Sequence, residues 1–126
     1  MSELIVYIDH SDIREGKLPE VRAGVQELVD FVDTHEPQLL AYGFYIDEGG
    51  MRMTLIAIHP DSSSLELHME IGAPAFRKFI ELIDLRKIEI YGRPSERVLE
   101  QLQQKVQMLG KNGTVVVHDR SAGFAR

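Results

Sequence analysis

Hydrophobic positions in the first third of the chain predict a buried strand followed by an amphipathic helix. Residues 4–9 read LIVYID and are apolar at both parities, as expected of a strand covered on both faces. From residue 18 to residue 32, apolar side chains recur every three or four positions with charged residues between them, which predicts a helix with one buried face. This helix should end before Pro37, because the residue preceding a proline disfavours helical geometry. The polar residues 10–17 are expected to connect strand and helix.

Two apolar runs in the middle of the chain, residues 38–47 and 51–59, predict a β-hairpin. They flank Glu48, Gly49 and Gly50, and glycine reaches positive φ without steric cost. The runs read QLLAYGFYID and MRMTLIAIH, so each again places apolar or aromatic side chains on both alternating faces.

The second half of the chain carries signals for two helices and two strands. Ser63 and Glu66 fit a capping box and predict a helix start, and the Gly72-Ala73-Pro74 segment predicts a kink or a division into two short helices. Residues 86–91 alternate as a fourth strand. Pro94 is suited to the first position of a third helix, and residues 114–118 read as a fifth strand.

The order of these elements predicts one α+β domain over residues 1–126. Its first six elements match a ferredoxin-like β-α-β-β-α-β unit with an antiparallel sheet, to which a C-terminal helix and strand are added. An antiparallel sheet with one face in water should alternate apolar and polar residues, yet strands one to three are apolar on both faces. We therefore expect a homodimer in which a second copy covers the other face. The alternative is a monomer whose third helix lies across that face.

The second predicted helix has a serine-rich start at residues 62–64, then His68, a Gly72-Ala73 break and the Pro-x-Phe motif of Pro74 and Phe76. With the hairpin before it, this pattern resembles the antibiotic-biosynthesis-monooxygenase-like branch of the dimeric α/β-barrel superfamily. The resemblance covers residues 3–92 as architecture. It implies a dimeric α/β barrel and a relationship to cofactor-independent oxygenases of quinols and anthrones.

Haem degradation, which some relatives in this branch perform, is not favoured by the sequence. Those relatives resemble one another in an active-site Asn, Trp and His, whereas this chain has no Trp and Asn112 is its only Asn. The third helix and fifth strand also extend beyond the minimal domain of the family.

Composition and charge narrow the function further. The absence of cysteine from all 126 residues excludes disulfides and thiolate metal sites, and no histidine spacing typical of a metal motif occurs, so no metal is expected. The resemblance to cofactor-independent oxygenases implies that no other cofactor is bound. The net charge is −6, and residues 1–50 hold three basic and eleven acidic groups, which argues against nucleic-acid binding. The short apolar runs and the lack of a basic amino-terminal region lead us to expect a cytoplasmic protein without a membrane contact.

A local basic cluster is interleaved with acidic residues, which favours a solvated, salt-bridged surface over an anion site. Its members are Arg77, Lys78, Arg86, Lys87, Arg93 and Arg97.

Histidines are the side chains whose ordinary pKa lies nearest neutrality, so they are candidate bases. His68, inside the second helix, is the predicted catalytic base, and His59, at the end of the third strand, is the second candidate. A partly exposed His68 bonded to backbone is the alternative. His10 and His59 should lie at opposite ends of the sheet, and His35 is interpreted as a helix cap.

A pocket between helices and sheet is the predicted site, with the two candidate bases as polar points. Its predicted lining is Tyr42, Phe44, Tyr45, Met53, Phe76 and Phe79. The alternative is that these side chains simply fill the core. Two functions follow: a monooxygenase-like enzyme that oxidises a small aromatic or quinol-like substrate with dioxygen, or a non-catalytic module that binds a small apolar ligand or serves assembly.

Overall fold

The computed structural model describes residues 3–126. This part of the chain contains five strands and three α-helices. In chain order they are β1 (Ile5–Ile13), α1 (Leu18–His35), β2 (Ala41–Ile46), β3 (Arg52–His59), α2 (Ser62–Phe76), β4 (Ile83–Tyr91), α3 (Glu96–Leu109) and β5 (Thr114–His118). A 3-10 turn, Arg77–Phe79, connects α2 with β4.

The strands form one sheet in the order β2-β3-β1-β4-β5. The first four strands pair antiparallel, and β5 pairs parallel with β4 after the α3 crossover. Parallel neighbours need such a crossover because both strands run in the same direction. The predicted α+β, ferredoxin-like fold with an added helix and strand is confirmed.

All three helices pack on the same face of the sheet. The inward side chains of β1 and β3 are buried there, while Val6, Ile8, Ile56 and Ile58 on the opposite face stay partly exposed. Helix α3 lies beside α2 and reaches β1 through Lys105, whose ammonium contacts the Tyr7 hydroxyl. The alternative in which α3 covers the second face is therefore wrong, and that face, called the open face below, is uncovered within one chain.

Strand β1 is longer than predicted, because its polar residues pair with both neighbours. It continues to Ile13, and Ser11 pairs with Met53 on one side and Leu85 on the other. A bulge at Arg86 shifts the β1–β4 register between residues 10 and 11. The alternation of β1 itself is uninterrupted, so the polar residues Asp9 and Ser11 point towards the helices in line with Ile5 and Tyr7.

Helix α2 differs from its prediction at both ends. Its N-cap is Asp61, whose carboxylate accepts a hydrogen bond from the Ser64 amide at 2.9 Å, so the predicted Ser63 capping box does not form. The helix also continues through Pro74 to Phe76 instead of breaking. Pro74 lies on the exposed side, where water can hydrate the Glu70 carbonyl that loses its helical partner.

Helix α3 begins two residues later than expected. Ser95 is its N-cap and accepts a hydrogen bond from the Val98 amide, and the first helical residue is Glu96 rather than Pro94. Serine is the better cap because its hydroxyl satisfies an amide at the start of the helix, which the proline ring cannot do.

Gly110→Ala is expected to lower the free energy of unfolding by about 1–3 kcal/mol. Gly110 caps α3 so close to β4 that a Cβ would collide with the Leu85 carbonyl oxygen, and backbone cannot move aside cheaply. Urea unfolding measures the loss. Gly49→Ala is the control, because its Cβ would approach only the Met51 Cγ, at 3.9 Å, and should change stability by less than about 0.5 kcal/mol. Equal effects of the two changes would contradict this explanation.

Candidate functional site

Helix α2 presents one row of residues, four apart, to the sheet: Ser64, His68, Gly72 and Phe76 are all buried. This spacing is one face of a helix. Gly72 makes room for the aromatic ring below it, because a Cβ there would lie 2.5 Å from Cζ of Phe76. Both histidine and phenylalanine are thus held against the inner face of the sheet.

A small cavity of about 30 Å³ lies between the helices and the sheet, and we call it the central cavity. This volume holds one or two water molecules. Its polar lining residues are Asp9, Ser11, Tyr42 and Lys105, and the remainder of its wall is apolar. A mostly apolar space with a few polar groups is typical of small-molecule sites.

Five of the predicted pocket residues line the central cavity: Tyr42, Phe44, Met53, Phe76 and Phe79.

Tyr45 does not line the cavity, and its predicted place in the pocket is corrected. It is 60% exposed and lies on the open face, where its ring covers Gly43. The reason is the alternation of a strand: neighbours at even positions of β2, such as Tyr42 and Phe44, point inward, so residue 45 points outward.

Three buried polar side chains form a closed network at the cavity. The Tyr7 hydroxyl donates to Oδ2 of Asp9 at 2.5 Å, and the Lys105 ammonium donates to the same oxygen at 3.3 Å and to the Tyr7 hydroxyl at 2.7 Å. Lys105 Nζ also lies 4.4 Å from the centre of the Phe76 ring, within cation–π range. Asp9 and Lys105 are each 5% exposed.

Sequence reasoning missed this network, although both charged members carry a signal. Asp9 occupies an inward position of β1, in line with Ile5 and Tyr7. Lys105 falls on the apolar stripe of α3, between Leu102 and Leu109. A charge in the middle of an apolar stripe is unusual, since Lys and Asp are almost never fully buried unless paired.

Burial sets the electrostatics of the cavity. It raises the pKa of the Tyr7 phenol, with Asp9 adding to the effect, and it raises the pKa of Tyr42 in the same way. Burial lowers the pKa of Lys105, and the Asp9 carboxylate opposes that decrease. The Oγ of Ser11 and the hydroxyl of Tyr42 are buried with no hydrogen-bond partner within residues 3–126. The cavity therefore holds two unused hydroxyl groups beside an ion pair.

His68, the predicted base, is buried rather than partly exposed. Its Nδ1 lies 2.9 Å from both carboxylate oxygens of Glu36, the residue that caps α1. The centre of its ring lies 5.3 Å from the centre of the Tyr42 ring and 5.5 Å from that of Phe76. His68 therefore stands behind two side chains of the cavity wall and is not itself a lining residue.

His59, the second candidate base, is fully buried next to His68. Its Nδ1 lies 2.8 Å from the Ser64 hydroxyl, and its Nε2 has no hydrogen-bond partner in the described chain. The two imidazole rings are 5.6 Å apart. Burial, with a smaller effect of His68, lowers the pKa of His59 to about 3, so its ring is neutral at physiological pH.

The free energy of unfolding is expected to decrease as the pH falls through the acid range, because His59 is buried and neutral in the folded chain but can be protonated once the chain unfolds. The folded pKa of about 3 lies below the ordinary value of 6.5, so below pH 6.5 the unfolded chain binds more protons than the folded one. Between neutral pH and pH 4.5 this group alone should remove about 2–3 kcal/mol. Urea unfolding at both pH values measures the loss. His59→Gln should flatten that dependence and His35→Gln should not; an unchanged slope in His59→Gln would refute the assignment.

The remaining histidines lie outside the cavity. His10 and His118, on the open face, bond to Glu89 at 3.0 and 3.2 Å, and together with Tyr91 they lower the pKa of that carboxyl to about 2. His35 donates a hydrogen bond from Nδ1 to the Phe31 carbonyl oxygen at 2.8 Å and stacks on the Phe31 ring, as expected of a cap at the end of α1.

Two larger surface grooves flank the central cavity. The α1–α2 groove has a volume of about 410 Å³, has an apolar floor that includes Phe31, Ile71 and Pro74, and shares Leu28 and Phe79 with the cavity. These two side chains therefore separate the groove from the ion pair.

The α2–α3 groove, of about 430 Å³, shares Phe76 and Lys105 with the cavity. Its edges carry charged residues such as Arg97 and Glu100.

The basic cluster is a salt-bridged surface, as favoured by the sequence. Arg86 bonds to Asp12 at 2.8 Å and Arg97 to Glu70 at 2.6 Å. Among residues 3–126 no group of three ligand side chains has the geometry for a metal ion. In the same range, every helix is too short or too polar to cross a bilayer.

Solved structures with a similar fold include MupZ from Pseudomonas fluorescens, with a TM-score of 0.76 at 17% identity over 99% of this chain and 96% of MupZ. SnoaB, a cofactor-independent oxygenase from Streptomyces nogalater, has a TM-score of 0.61 at 10% identity, covering 75% of this chain and 96% of SnoaB. A candidate antibiotic biosynthesis monooxygenase from Bacteroides thetaiotaomicron has a TM-score of 0.56 at 20% identity, covering 70% and 85%. This chain has the antibiotic-biosynthesis-monooxygenase-like fold.

The C-terminal extension is part of the match to MupZ, because 99% of this chain is covered there. At these identities the likeness concerns the monooxygenase-like fold alone. No family model and no curated protein matches the chain. Function is therefore inferred from the residues of the cavity.

Proposed function

We propose that this chain is a cofactor-independent monooxygenase that oxidises a small aromatic or quinol-like molecule. The observation that supports this is the position of the α1–α2 groove, a mostly apolar space of about 410 Å³ that Leu28 and Phe79 separate from the polar groups of the central cavity. Small-molecule sites commonly have volumes of about 300–1,000 Å³. Rotation of Phe79 would connect the groove to the cavity and bring an aromatic ring to Asp9 and Lys105.

The proposed reaction uses dioxygen as its only oxidant. A base removes a proton from an activated C–H bond, and the carbanion electron pair forms a C–O bond with dioxygen. The resulting hydroperoxide loses water and leaves a carbonyl, so one CH₂ and one O₂ become one C=O and one H₂O. The buried wall of the cavity excludes bulk water, and this exclusion protects the carbanion from protonation.

His68 takes a different part in this proposal from the one expected. Because it lies behind Tyr42 and Phe76, it contacts the wall rather than the substrate space. Its hydrogen bond with the Glu36 carboxylate fixes the imidazole against those two rings. His59, neutral and bonded to Ser64, belongs to the same support.

Oxygen uptake tests the proposed activity directly. Wild-type protein is incubated with a panel of quinols and anthrones, and ¹⁸O₂ is used to follow oxygen into the product. We expect a ketone that carries one ¹⁸O, with one O₂ consumed for each product. Ser11→Val, which fills the cavity, should reduce turnover by at least about 10-fold while the protein remains folded. Ser121→Val, in the exposed C-terminal tail, is the control. No uptake with any substrate would reject the proposal.

A non-catalytic binding module is the second candidate, and the small volume of the central cavity favours it. About 30 Å³ admits water but no aromatic ring unless the wall opens. Thermal-shift measurements with the same aromatics distinguish the two functions. Stabilisation without oxygen uptake would support the module, whereas stabilisation together with uptake supports the enzyme.

We also propose that two copies assemble through the open face into a dimeric α/β barrel. Its central residues Val6, Ile8, Ile56 and Ile58 are apolar but only partly buried in one chain, and Tyr45 adds an exposed aromatic ring beside them. Apolar patches that stay contiguous and exposed mark interaction sites. Sedimentation should give twice the chain mass of 14.3 kDa at micromolar concentration. A mass of one chain would disprove this assembly.

A further inference from the structure

The presence of a buried Asp9–Lys105 ion pair in the cavity wall is not explained by its effect on the stability of the fold. A buried ion pair generally stabilises a fold no better than apolar side chains of similar volume. Here the pair shares a cavity with the Ser11 and Tyr42 hydroxyls, both buried without a partner. A buried hydroxyl without a partner destabilises the fold, because it has lost its hydrogen bonds to water and gained none. Four polar groups around space for one or two waters are suited to a ligand oxygen.

We propose that the Asp9–Lys105 pair binds the hydroxyl oxygen of a phenol or enol substrate and ionises it, an inference that rests on the proposed function and specifies its substrate class. The ligand O–H bond breaks, an O–H bond forms at the Asp9 carboxylate, and the electron pair stays on the ligand oxygen. That oxyanion is held by the Lys105 ammonium and by the hydroxyls of Ser11 and Tyr42.

Charge balance supports this transfer in a buried cavity. Before it, the cavity contains one carboxylate and one ammonium; after it, one oxyanion and the same ammonium. The net charge is unchanged, so no additional ion has to be desolvated. The hydrogen bonds from Tyr7 and Lys105 both end on Oδ2, which leaves Oδ1 of Asp9 for the proton.

The geometry also explains why the lysine comes from the added helix. Lys105 lies in the wall between the central cavity and the α2–α3 groove, and its ammonium is fixed by Asp9, Tyr7 and the Phe76 ring. An ammonium held on three sides is already ordered before the ligand arrives. Preorganised charge of this kind stabilises a developing anion more effectively than solvent can.

Two probes of nearly equal shape test the inference. 4-Nitrophenol can ionise and its absorbance reports the phenolate, whereas 4-nitroanisole, its methyl ether, cannot ionise. At a pH where free nitrophenol is mostly protonated, the wild-type protein should bind it as the phenolate and at least about 10-fold more tightly than nitroanisole. Equal affinities with a neutral bound phenol would overturn the inference but leave the proposed function standing. Failure of both probes to bind would overturn both.

Variants then separate ionisation from a structural role. Lys105→Met should abolish the bound phenolate absorbance, while Gln103→Met, on the exposed side of α3, should retain it. Asp9→Asn/Lys105→Met removes both charges, so it folds without an unpaired ion and should bind both probes alike.

Calorimetry in buffers of different ionisation enthalpy follows the proton. In the wild type the phenol proton stays on Asp9 and little is released, whereas Asp9→Asn should release about one proton per phenolate bound. Equal proton release by both proteins would contradict transfer to Asp9.

Discussion

His68→Ala is expected to lower the free energy of unfolding by about 3–5 kcal/mol, because it leaves a carboxylate buried without its partner. The side chains of His68 and Glu36 are 3% and 0% exposed, so water cannot replace the lost imidazole. Its Nδ1 contacts both carboxylate oxygens, at 2.9 Å each. The loss of ring packing against Tyr42 and Phe76 adds to the effect. Urea unfolding at neutral pH measures the change.

Two further variants show whether charge or volume dominates that loss. Glu36→Gln in the His68→Ala background removes the unpaired charge and should restore at least about 2 kcal/mol. His35→Ala, at the exposed end of α1, should change the free energy of unfolding by only about 0.5 kcal/mol. If His68→Ala cost no more than His35→Ala, the buried pair would not be an important part of the fold.

Ile56→Asp is expected to convert the proposed dimer into a monomer. Ile56 lies at the middle of the open face, opposite Ile8 on β1 and Gly43 on β2. Assembly would bury an unpaired carboxylate from each copy, at a combined cost of at least about 4 kcal/mol, which raises the dissociation constant by about 1,000-fold or more. Sedimentation at micromolar concentration should then give the mass of one chain, 14.3 kDa.

The matched control uses the same substitution away from the sheet. Ile80, after the 3-10 turn, is 40% exposed on the helical side of the molecule, so Ile80→Asp should leave the sedimentation mass at that of the wild type. Dissociation by both substitutions would indicate general destabilisation rather than an interface at the open face. Persistence of the dimer in Ile56→Asp would place the interface elsewhere.

The sequence predicted correctly those helices and strands whose first and last residues are set by nearby residues in the chain. The fifth strand, residues 114–118, and the first helix, which ends at His35 before Pro37, are found as expected. The division into two short helices at Pro74 was wrong, since whether a helix continues through a proline depends on which side of the helix faces water. The end of the first strand was also wrong, because polar Ser11 is held there by pairing with two distant strands.

The sequence predicted most of the apolar wall of the candidate site and Tyr42, but not the charged pair. Phe44, Met53 and Phe76 were expected in an apolar pocket between the helices and the sheet, and they line the cavity. Asp9 and Lys105 were missed, because a charged residue within an apolar stripe acquires its meaning from a partner 96 residues away. No local pattern encodes that distance.

The sequence by itself determined the element types, the ferredoxin-like order and the apolar character of both sheet faces, since each depends on periodicities of two or about 3.6 residues. Only the tertiary structure decided which face the third helix covers and which polar groups meet inside. Those outcomes depend on strand pairing and on the α3 crossover, which bring Lys105 to Asp9 and leave Ile56 uncovered. Long-range packing is the physical reason, because it selects among arrangements that local patterns allow equally.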